Sequence, residues 1–196
     1  MSDTSARQFN AAVMPHLDLV YRIALKMTGN VSEAEDLVQE TFLRAYRSFG
    51  QFELREYGAK PWLLKILHNV FITQRSHEKR APSLMDDLSL DDFAAELESN
   101  SFETLPAGQM DWESFDDELK AAVEALAPDY RSVLLLWGLG DLSYKEISQI
   151  LGCALGTVMS RLFRARQQLA LMLADYAAQR GLSRDRRDRS PIEDAE

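Results

Sequence analysis

The sequence contains few of the residues that build common kinds of active site. Its single cysteine, Cys153, excludes an internal disulfide and is typical of a reducing cytosol. The three histidines lack metal-ligand spacing with one another or with Cys153, so we expect no metal and no cofactor. No glycine-rich phosphate loop and no nucleophile motif is present, which predicts a protein that does no covalent chemistry. Cys153 itself is expected to be a small packing residue, with a redox switch as the alternative.

Long apolar runs are also missing. No stretch approaches the roughly 20 apolar residues that a helix needs to span a bilayer. The N-terminus, MSDTSARQFNAA, lacks the basic start and apolar block of a secretory signal. We therefore expect a cytoplasmic protein without membrane insertion.

Sustained alternation of polar and apolar residues, which marks β-strands, is nearly absent. Helical patterns separated by glycine and proline predict an all-α protein made of two small helical domains. In the first domain, residues 5–80, Pro15 is expected to interrupt the early part of a helix over 5–27. The apolar, inward face of this helix is expected to hold Leu17, Val20, Tyr21, Ala24 and Met27. Ser32 and Glu35 are expected to form a capping box that starts the next helix.

Acidic residues are concentrated in one segment. The chain has a formal net charge of −9, with 22 basic and 31 acidic residues. Residues 81–118 hold twelve of those acids and no Lys or Arg, so the remainder carries 22 basic and 19 acidic residues, a net +3. Residues 81–111 are predicted to be a flexible acidic linker, and residues 112–179 a second domain. The charged segment 180–196 is predicted to be a disordered tail.

Residues 143–169 have the pattern of a helix, a turn containing glycine and a second helix, which is typical of a helix-turn-helix. Ser143 and Glu146 form a capping box at the start of the first helix. Gly152 suits the left-handed residue that ends it. Thr157 is expected to cap the second helix. The inward face of that helix is expected to consist of Val158, Leu162, Ala165 and Leu169.

The outward face of this second helix is predicted to contact DNA. The side chains between the core positions are Met159, Ser160, Arg161, Phe163 and Arg164. Between residues 143 and 174 the only acid is Glu146, whereas the segment has Lys145 and three arginines. A helix so poor in acid on an acidic chain favours a polyanionic partner. The alternative is an ordinary amphipathic hairpin with a solvated arginine face.

Residues 60–80 form a second basic segment, which is also aromatic. Its charge is +4, and Trp62 lies beside Lys60 and Lys65. Unpaired bases stack on aromatic rings, and cations hold their phosphates. Asn69 and Thr73 can contact base edges once a base has left the stack. Taken alone the signal is weak, because a tryptophan next to a proline is more often a core or capping residue.

Several motifs occur in a fixed order along nearly the whole chain, from about residue 9 to residue 173. They are DLVQETFLRAYRSF, KPWLLKILHNVFI, the acidic linker, LAPDYRSVLLLWGLGDLSYKEISQILG and GTVMSRLFRARQQL. In this order the chain resembles the extracytoplasmic-function sigma factors (ECF, group IV), the small two-domain class of bacterial sigma factors. The resemblance implies a sigma region 2-like helical bundle and a region 4-like helix-turn-helix domain.

The resemblance also implies a function. Members of this family bind core RNA polymerase, recognise the −10 and −35 promoter elements and promote opening of the DNA, without being enzymes. The positions implied for polymerase binding are Asp36, Leu37, Gln39, Glu40, Phe42 and Arg44. Those implied for single-stranded −10 DNA are Lys60, Trp62, Lys65, Asn69 and Thr73. Those implied for double-stranded −35 DNA are Thr157, Met159, Ser160, Arg161, Phe163 and Arg164.

Some features depart from the family or leave alternatives open. Many relatives carry a basic residue at the position of Met159, and the loop at 51–59 contains Glu53 and Glu56, so the promoter sequence is not specified. Leu37 and Phe42 could be core residues only. An anti-sigma partner is common in the family. Two other protein classes remain: a stand-alone regulator with a helix-turn-helix, and an interaction protein that antagonises a regulator.

Overall fold

The structure, a computed structural model, describes residues 3–51, 58–78 and 116–179. Every regular element among them is helical, which confirms the all-α prediction for this part of the chain. The linker at 81–111, the loop glutamates Glu53 and Glu56 and the tail at 180–196 lie outside the described residues. We call residues 3–78 lobe one and residues 116–179 lobe two.

Lobe one consists of helices that pack around a shared apolar core. Its α-helices are α1 (Asp3–Val13), α2 (Leu17–Thr28), α3 (Val31–Ser48) and α4 (Ala59–Glu78), with 3₁₀ turns at Met14–His16 and Phe49–Gln51. Helix α2 packs against α3, α3 packs against α4, and α1 also reaches α4. Fully buried leucines of α3 and α4 lie at the centre, and each contributes about 1.5–3 kcal/mol by leaving water.

The first predicted helix is interrupted where proline was expected to interrupt it. Pro15 occupies the first turn of the 3₁₀ segment that separates α1 from α2, because proline has no backbone N–H to continue an α-helix. The prediction that Leu17 faces inward is wrong: Leu17 is 38% exposed. It stands at the first residue of α2, whereas Val20, Ala24 and Met27 of the same predicted face are buried.

Helix α3 begins earlier than the sequence predicted. Gly29 adopts a left-handed conformation with φ of 70° and ends α2, which suits a residue without Cβ. The next residue, Asn30, is extended, and its side chain accepts a hydrogen bond from the Glu33 amide at 3.1 Å. The predicted capping box at Ser32 and Glu35 is therefore wrong, because Asn30 already caps the helix.

Lobe two contains the helix pair that the sequence predicted. Its helices are α5 (Asp117–Ala125), α6 (Pro128–Gly138), α7 (Tyr144–Leu151), α8 (Leu155–Met172) and α9 (Ala174–Gln179). The capping box of Ser143 and Glu146 is confirmed, with both reciprocal hydrogen bonds present. Gly152, with φ of 67°, ends α7 as expected.

The start of α8 differs from the prediction. Ala154 stands at the N-cap without a side-chain hydrogen bond, and α8 begins at Leu155. Thr157 is thus inside the first turn, and its carbonyl accepts a hydrogen bond from the Ser160 hydroxyl at 3.0 Å. Thr157 is not the cap, because after the left-handed Gly152 the chain returns to helical geometry three residues sooner than the sequence pattern indicated. The inward positions Val158, Leu162 and Ala165 are buried as predicted, and Leu169 is partly buried.

The two lobes pack against each other, which the sequence did not predict. Helix α4 of lobe one contacts α7 of lobe two, and α2 contacts α6. Buried residues from both lobes form a single hydrophobic cluster. The helix faces that the sequence predicts to contact DNA therefore belong to two lobes that contact each other.

Candidate nucleic-acid interface

Helix α3 presents a mixed polar and apolar face. Asp36 and Gln39 are exposed, and the Arg44 Nε donates to Glu40 Oε1 at 2.6 Å. Leu37 is completely buried and Phe42 is partly buried against the core, so in this arrangement Leu37 does not reach the surface.

Two exposed apolar residues on α3 were missed from the sequence. Leu43 is 43% exposed and Tyr46 is 38% exposed. They follow Asp36 by seven and ten residues, a spacing that places them on the same helical face. Counting seven and ten residues along the helix from the exposed Asp36 would have identified them. The choice of Leu37 as an apolar contact rested on its hydrophobicity alone.

Helix α4 carries a polar stripe that faces solvent. Lys65, Asn69 and Thr73 are exposed and follow one another at four-residue intervals, so they lie along one face. The Thr73 hydroxyl donates to the backbone carbonyl of Asn69 at 2.7 Å, and the Asn69 residue is exposed. A cation, an amide and a hydroxyl along one face are suited to phosphates and base edges.

Trp62 and Lys60 are placed differently from this stripe. Trp62 is partly buried against the core, with its ring centroid 6.4 Å from that of Phe49. It thus has a packing function while part of its side chain stays accessible. Lys60 Nζ donates to the Asp141 carbonyl of lobe two at 3.4 Å. In this arrangement Lys60 is engaged between the lobes.

On α8, the second helix of the helix-turn-helix, the residues predicted to contact DNA are partly buried. The six residues predicted to contact −35 DNA are all partly buried, with none in the exposed class: Thr157, Met159, Ser160, Arg161, Phe163 and Arg164. The Arg161 side chain is 19% exposed and its Nη2 lies 3.0 Å from Asp129 Oδ2 of α6. Arg166 lies 4.4 Å from the Trp137 ring centroid, so it packs within lobe two.

His68 of α4 lies on the side of the helix that meets lobe two. Burial lowers the pKa of His68 to about 4, with the positive charge of Arg161 lowering it further and Asp129 opposing the shift. Its Nδ1 is buried and has no hydrogen-bond partner among the described residues. A neutral histidine thus lies against the ion pair that holds Arg161.

Cys153 is partly buried in the turn of the helix-turn-helix. Burial raises the pKa of its thiol, which disfavours the reactive thiolate. The position fits a packing residue better than a redox switch.

Over residues 3–51, 58–78 and 116–179, no cluster of three or more His, Cys, Asp or Glu side chains could hold a metal ion. Within the same ranges, no helix has the length and apolar character needed to cross a membrane.

Two segments of the chain match known sequence families. Residues 12–81 match Sigma-70 region 2, and residues 116–169 match Sigma-70, region 4. The first segment contains the faces described on α3 and α4, and the second contains the helix-turn-helix.

Individual relatives give the same assignment. The chain is 34% identical over 175 residues to the ECF RNA polymerase sigma factor SigE of Mycolicibacterium smegmatis, covering 85% of this chain but only 62% of that relative. It is 35% identical over 154 residues to the ECF RNA polymerase sigma factor SigM of Bacillus subtilis, covering 79% of this chain and 88% of SigM. The chain therefore spans less than two thirds of SigE and most of SigM.

Among solved structures, the sigma factor RpoE of Bartonella quintana in complex with the anti-sigma factor NepR is similar, with a TM-score of 0.64 and 27% sequence identity. The match covers 86% of this chain and 98% of that one. Motifs, family matches and relatives agree: the chain belongs to the ECF sigma factors of bacterial RNA polymerase, whose regions 2 and 4 recognise promoters and start transcription.

Proposed function

We propose that this chain binds core RNA polymerase through α3, reads single-stranded −10 DNA through α4 and reads double-stranded −35 DNA through α8. The observation that carries the proposal is the solvent-facing stripe of Lys65, Asn69 and Thr73 on the same chain as a capped helix-turn-helix. The domains we assign are residues 5–80 and 112–179, joined by the linker at 81–111 and followed by a tail at 180–196. The chain acts as a non-catalytic subunit and uses no cofactor.

The polymerase contact is assigned to the outer face of α3. Asp36, Gln39, Glu40 and Arg44 form its polar part, and the Glu40–Arg44 ion pair orders two of these side chains. Leu43 and Tyr46 add apolar surface beside them. Interfaces commonly combine apolar or aromatic anchors with a polar rim. Phe42 supports this face from the core, and Leu37 acts through packing.

Opening of the −10 element is assigned to capture of an unpaired base by α4. Stacking on an aromatic side chain contributes roughly 1–3 kcal/mol per base, which is comparable to the few kcal/mol that unstacking a base costs. Trp62 offers a partly accessible aromatic ring at one end of the stripe, Asn69 offers an amide, and Lys65 offers a charge for phosphate. Capture of unpaired bases would shift the equilibrium towards open DNA, and contacts with the polymerase would then maintain the open state.

We assign to the acidic linker at 81–111 a role in binding the positively charged channels of the polymerase. Its carboxylates can imitate a nucleic-acid backbone, since the segment carries acids and no Lys or Arg. A solubilising spacer is the alternative. The cytoplasm is the location we assign, because the promoter DNA and the polymerase lie there. NepR, bound to the related RpoE, is an anti-sigma factor, and we extend this kind of partner to the present chain.

Replacing Asn69 with alanine should impair formation of the open promoter complex more than binding of the closed complex, by about 5- to 150-fold for a lost contact of 1–3 kcal/mol. Trp62→Ala should have the same direction. Permanganate footprinting of the −10 bases, compared with mobility shifts of the closed complex, measures the two steps. Gln74→Ala, at an exposed position of the same helix, should leave both unchanged. Equal loss of both steps in Asn69→Ala would refute the assignment.

Replacing Arg161 with alanine should cost about 1–3 kcal/mol of −35 binding by the holoenzyme, because a contact to a base edge is lost. Arg164→Ala should behave in the same way. Affinities for −35 duplexes with each base pair varied would show relaxed discrimination at one position. If binding were weakened equally for every duplex sequence, these arginines would instead contact DNA phosphates.

A further inference from the structure

Helix α8 begins with an exposed apolar side chain. Leu155, its first residue, is 48% exposed. The residues on either side are small: Ala154 stands at the N-cap without a side-chain hydrogen bond, and Gly156 follows. A Cβ added at Gly156 would meet no heavy atom of the described residues within 4 Å, apart from its chain neighbours and its own helical backbone. The space at this end of the helix is therefore open, and a partner can approach Leu155 closely.

Leu155 is the first member of an apolar row along α8. Met159 and Phe163 follow it at four-residue intervals, a spacing that places neighbours on one side of a helix. Among the described residues, none of these three belongs to the hydrophobic core cluster or packs against it, whereas Leu169 of the same helix does. A single exposed leucine is ordinary on a protein surface. A row of three apolar side chains that the core does not use indicates a binding surface.

The charge around this row favours nucleic acid as the partner. Residues 147–174 contain three arginines and no Asp or Glu. In a helix-turn-helix, the N-terminal residues of the second helix contact base edges in the major groove. The apolar group that DNA displays in this groove is the C5 methyl of thymine. Leu155 therefore lies at the end of α8 where an apolar side chain can contact a base.

We propose that Leu155 is a further base-reading residue, and that Leu155 and Met159 select thymine methyl groups in the −35 duplex. The inference rests on the proposed function of α8 and adds to it one feature of the DNA that is read. Four residues of α-helix rise about 6 Å, which is close to the roughly 6.8 Å covered by two base-pair steps. The two side chains therefore contact methyl groups about two base pairs apart, on either strand.

Replacing thymine with uracil tests the proposal, because it removes the methyl group and keeps every hydrogen-bonding group of the base pair. The probe is the −35 duplex of a promoter that the reconstituted holoenzyme transcribes, with each thymine replaced in turn by deoxyuridine. Two of these replacements, about two base pairs apart, should each weaken binding by the wild-type holoenzyme about fourfold, the loss expected for one methyl-sized group. Full affinity for every uracil duplex would overturn the proposal, as would a −35 element without thymine on either strand.

Substitutions in α8 assign each methyl group to one side chain. Leu155→Ala should abolish the uracil effect at one of the two positions and leave it at the other, and Met159→Ala should do the reverse. The control is Leu171→Ala, which removes a leucine that is 79% exposed at the other end of α8 and should retain both effects. If Leu155→Ala also retained both effects, Leu155 would not read DNA.

The same binding measurements separate this inference from the proposed function. A holoenzyme that bound a scrambled duplex as tightly as the −35 duplex would refute the assignment of α8 to −35 DNA, and this inference with it. Sequence-specific binding without any uracil effect would refute only the selection of thymine methyl groups by Leu155 and Met159.

Discussion

Replacing Arg131 with methionine is expected to lower the free energy of unfolding by about 3 kcal/mol. The guanidinium donates hydrogen bonds to three carbonyls, those of Met27, Leu126 and Glu124. Met27 and Glu124 lie in the last turns of α2 and α5, where carbonyls have no intrahelical partner. Arg131 thus donates hydrogen bonds to carbonyls at the C-terminal ends of two helices, one in each lobe. Its positive charge also interacts favourably with the negative ends of both helix dipoles.

Methionine retains the volume but leaves these buried acceptors without a donor. Each unsatisfied acceptor costs about 1–3 kcal/mol, and the relief from burying a charge offsets part of the sum. Urea unfolding followed by circular dichroism measures the change. Arg22→Met is the matched control, because Arg22 is exposed and pairs with Asp18 at 3.4 Å on the helix surface. That control should change stability by less than about 0.5 kcal/mol, and an equal loss in the two variants would contradict the role of Arg131.

Lowering the pH from 7 to 4 is expected to cost the wild-type protein about 3 kcal/mol more stability than it costs His68→Gln. The pKa of His68 is about 4 in the folded protein, against an ordinary value of 6.5. Between these values the unfolded chain binds a proton that the folded chain does not. The stability is therefore fully present above pH 6.5 and is lost as the pH falls towards 4.

The pH experiment compares the wild-type protein with His68→Gln, so that the contributions of the other titrating groups to stability cancel. Carboxylates also titrate below pH 5, and Asp129 and Arg161 are the charged groups that act on His68 from α6 and α8. Glutamine retains polar volume at position 68 but cannot titrate, so the difference between the two unfolding curves isolates the histidine. Parallel pH profiles for the two proteins would show that His68 is not buried between the lobes.

Local features of the fold could be predicted where one residue decides the geometry. Ser143 with Glu146, Gly152 and Pro15 were all identified correctly because their backbone or hydrogen-bonding needs are met within a few residues. The predicted caps of α3 and α8 were wrong because each helix begins closer to the glycine that ends the preceding helix than the predicted cap residue does. At α3 the Asn30 side chain caps the helix one residue after Gly29, whereas at α8 Ala154 stands at the N-cap two residues after Gly152 without a side-chain hydrogen bond.

Long-range features could not be predicted from the sequence in the same way. The ion pair of Arg161 depends on Asp129, 32 residues away, and the charges of both residues act on His68 in the other lobe. Arg131 looks like any surface arginine in the sequence, yet it bonds to a carbonyl 104 residues away. Burial of a cation is decided by which acceptors the fold brings to it. The family resemblance predicted which helices read DNA but carried no information on the packing of the lobes.

The central claim is that this chain confers promoter recognition on RNA polymerase. Run-off transcription from a genomic library, with core polymerase and the purified chain, tests it most directly. The account predicts that the chain co-elutes with core polymerase and that the mixture initiates at specific sites where core alone does not. A chain that binds duplex DNA as a dimer but ignores the polymerase would be a stand-alone regulator. A chain that binds neither would be an interaction protein, and either result would contradict the account.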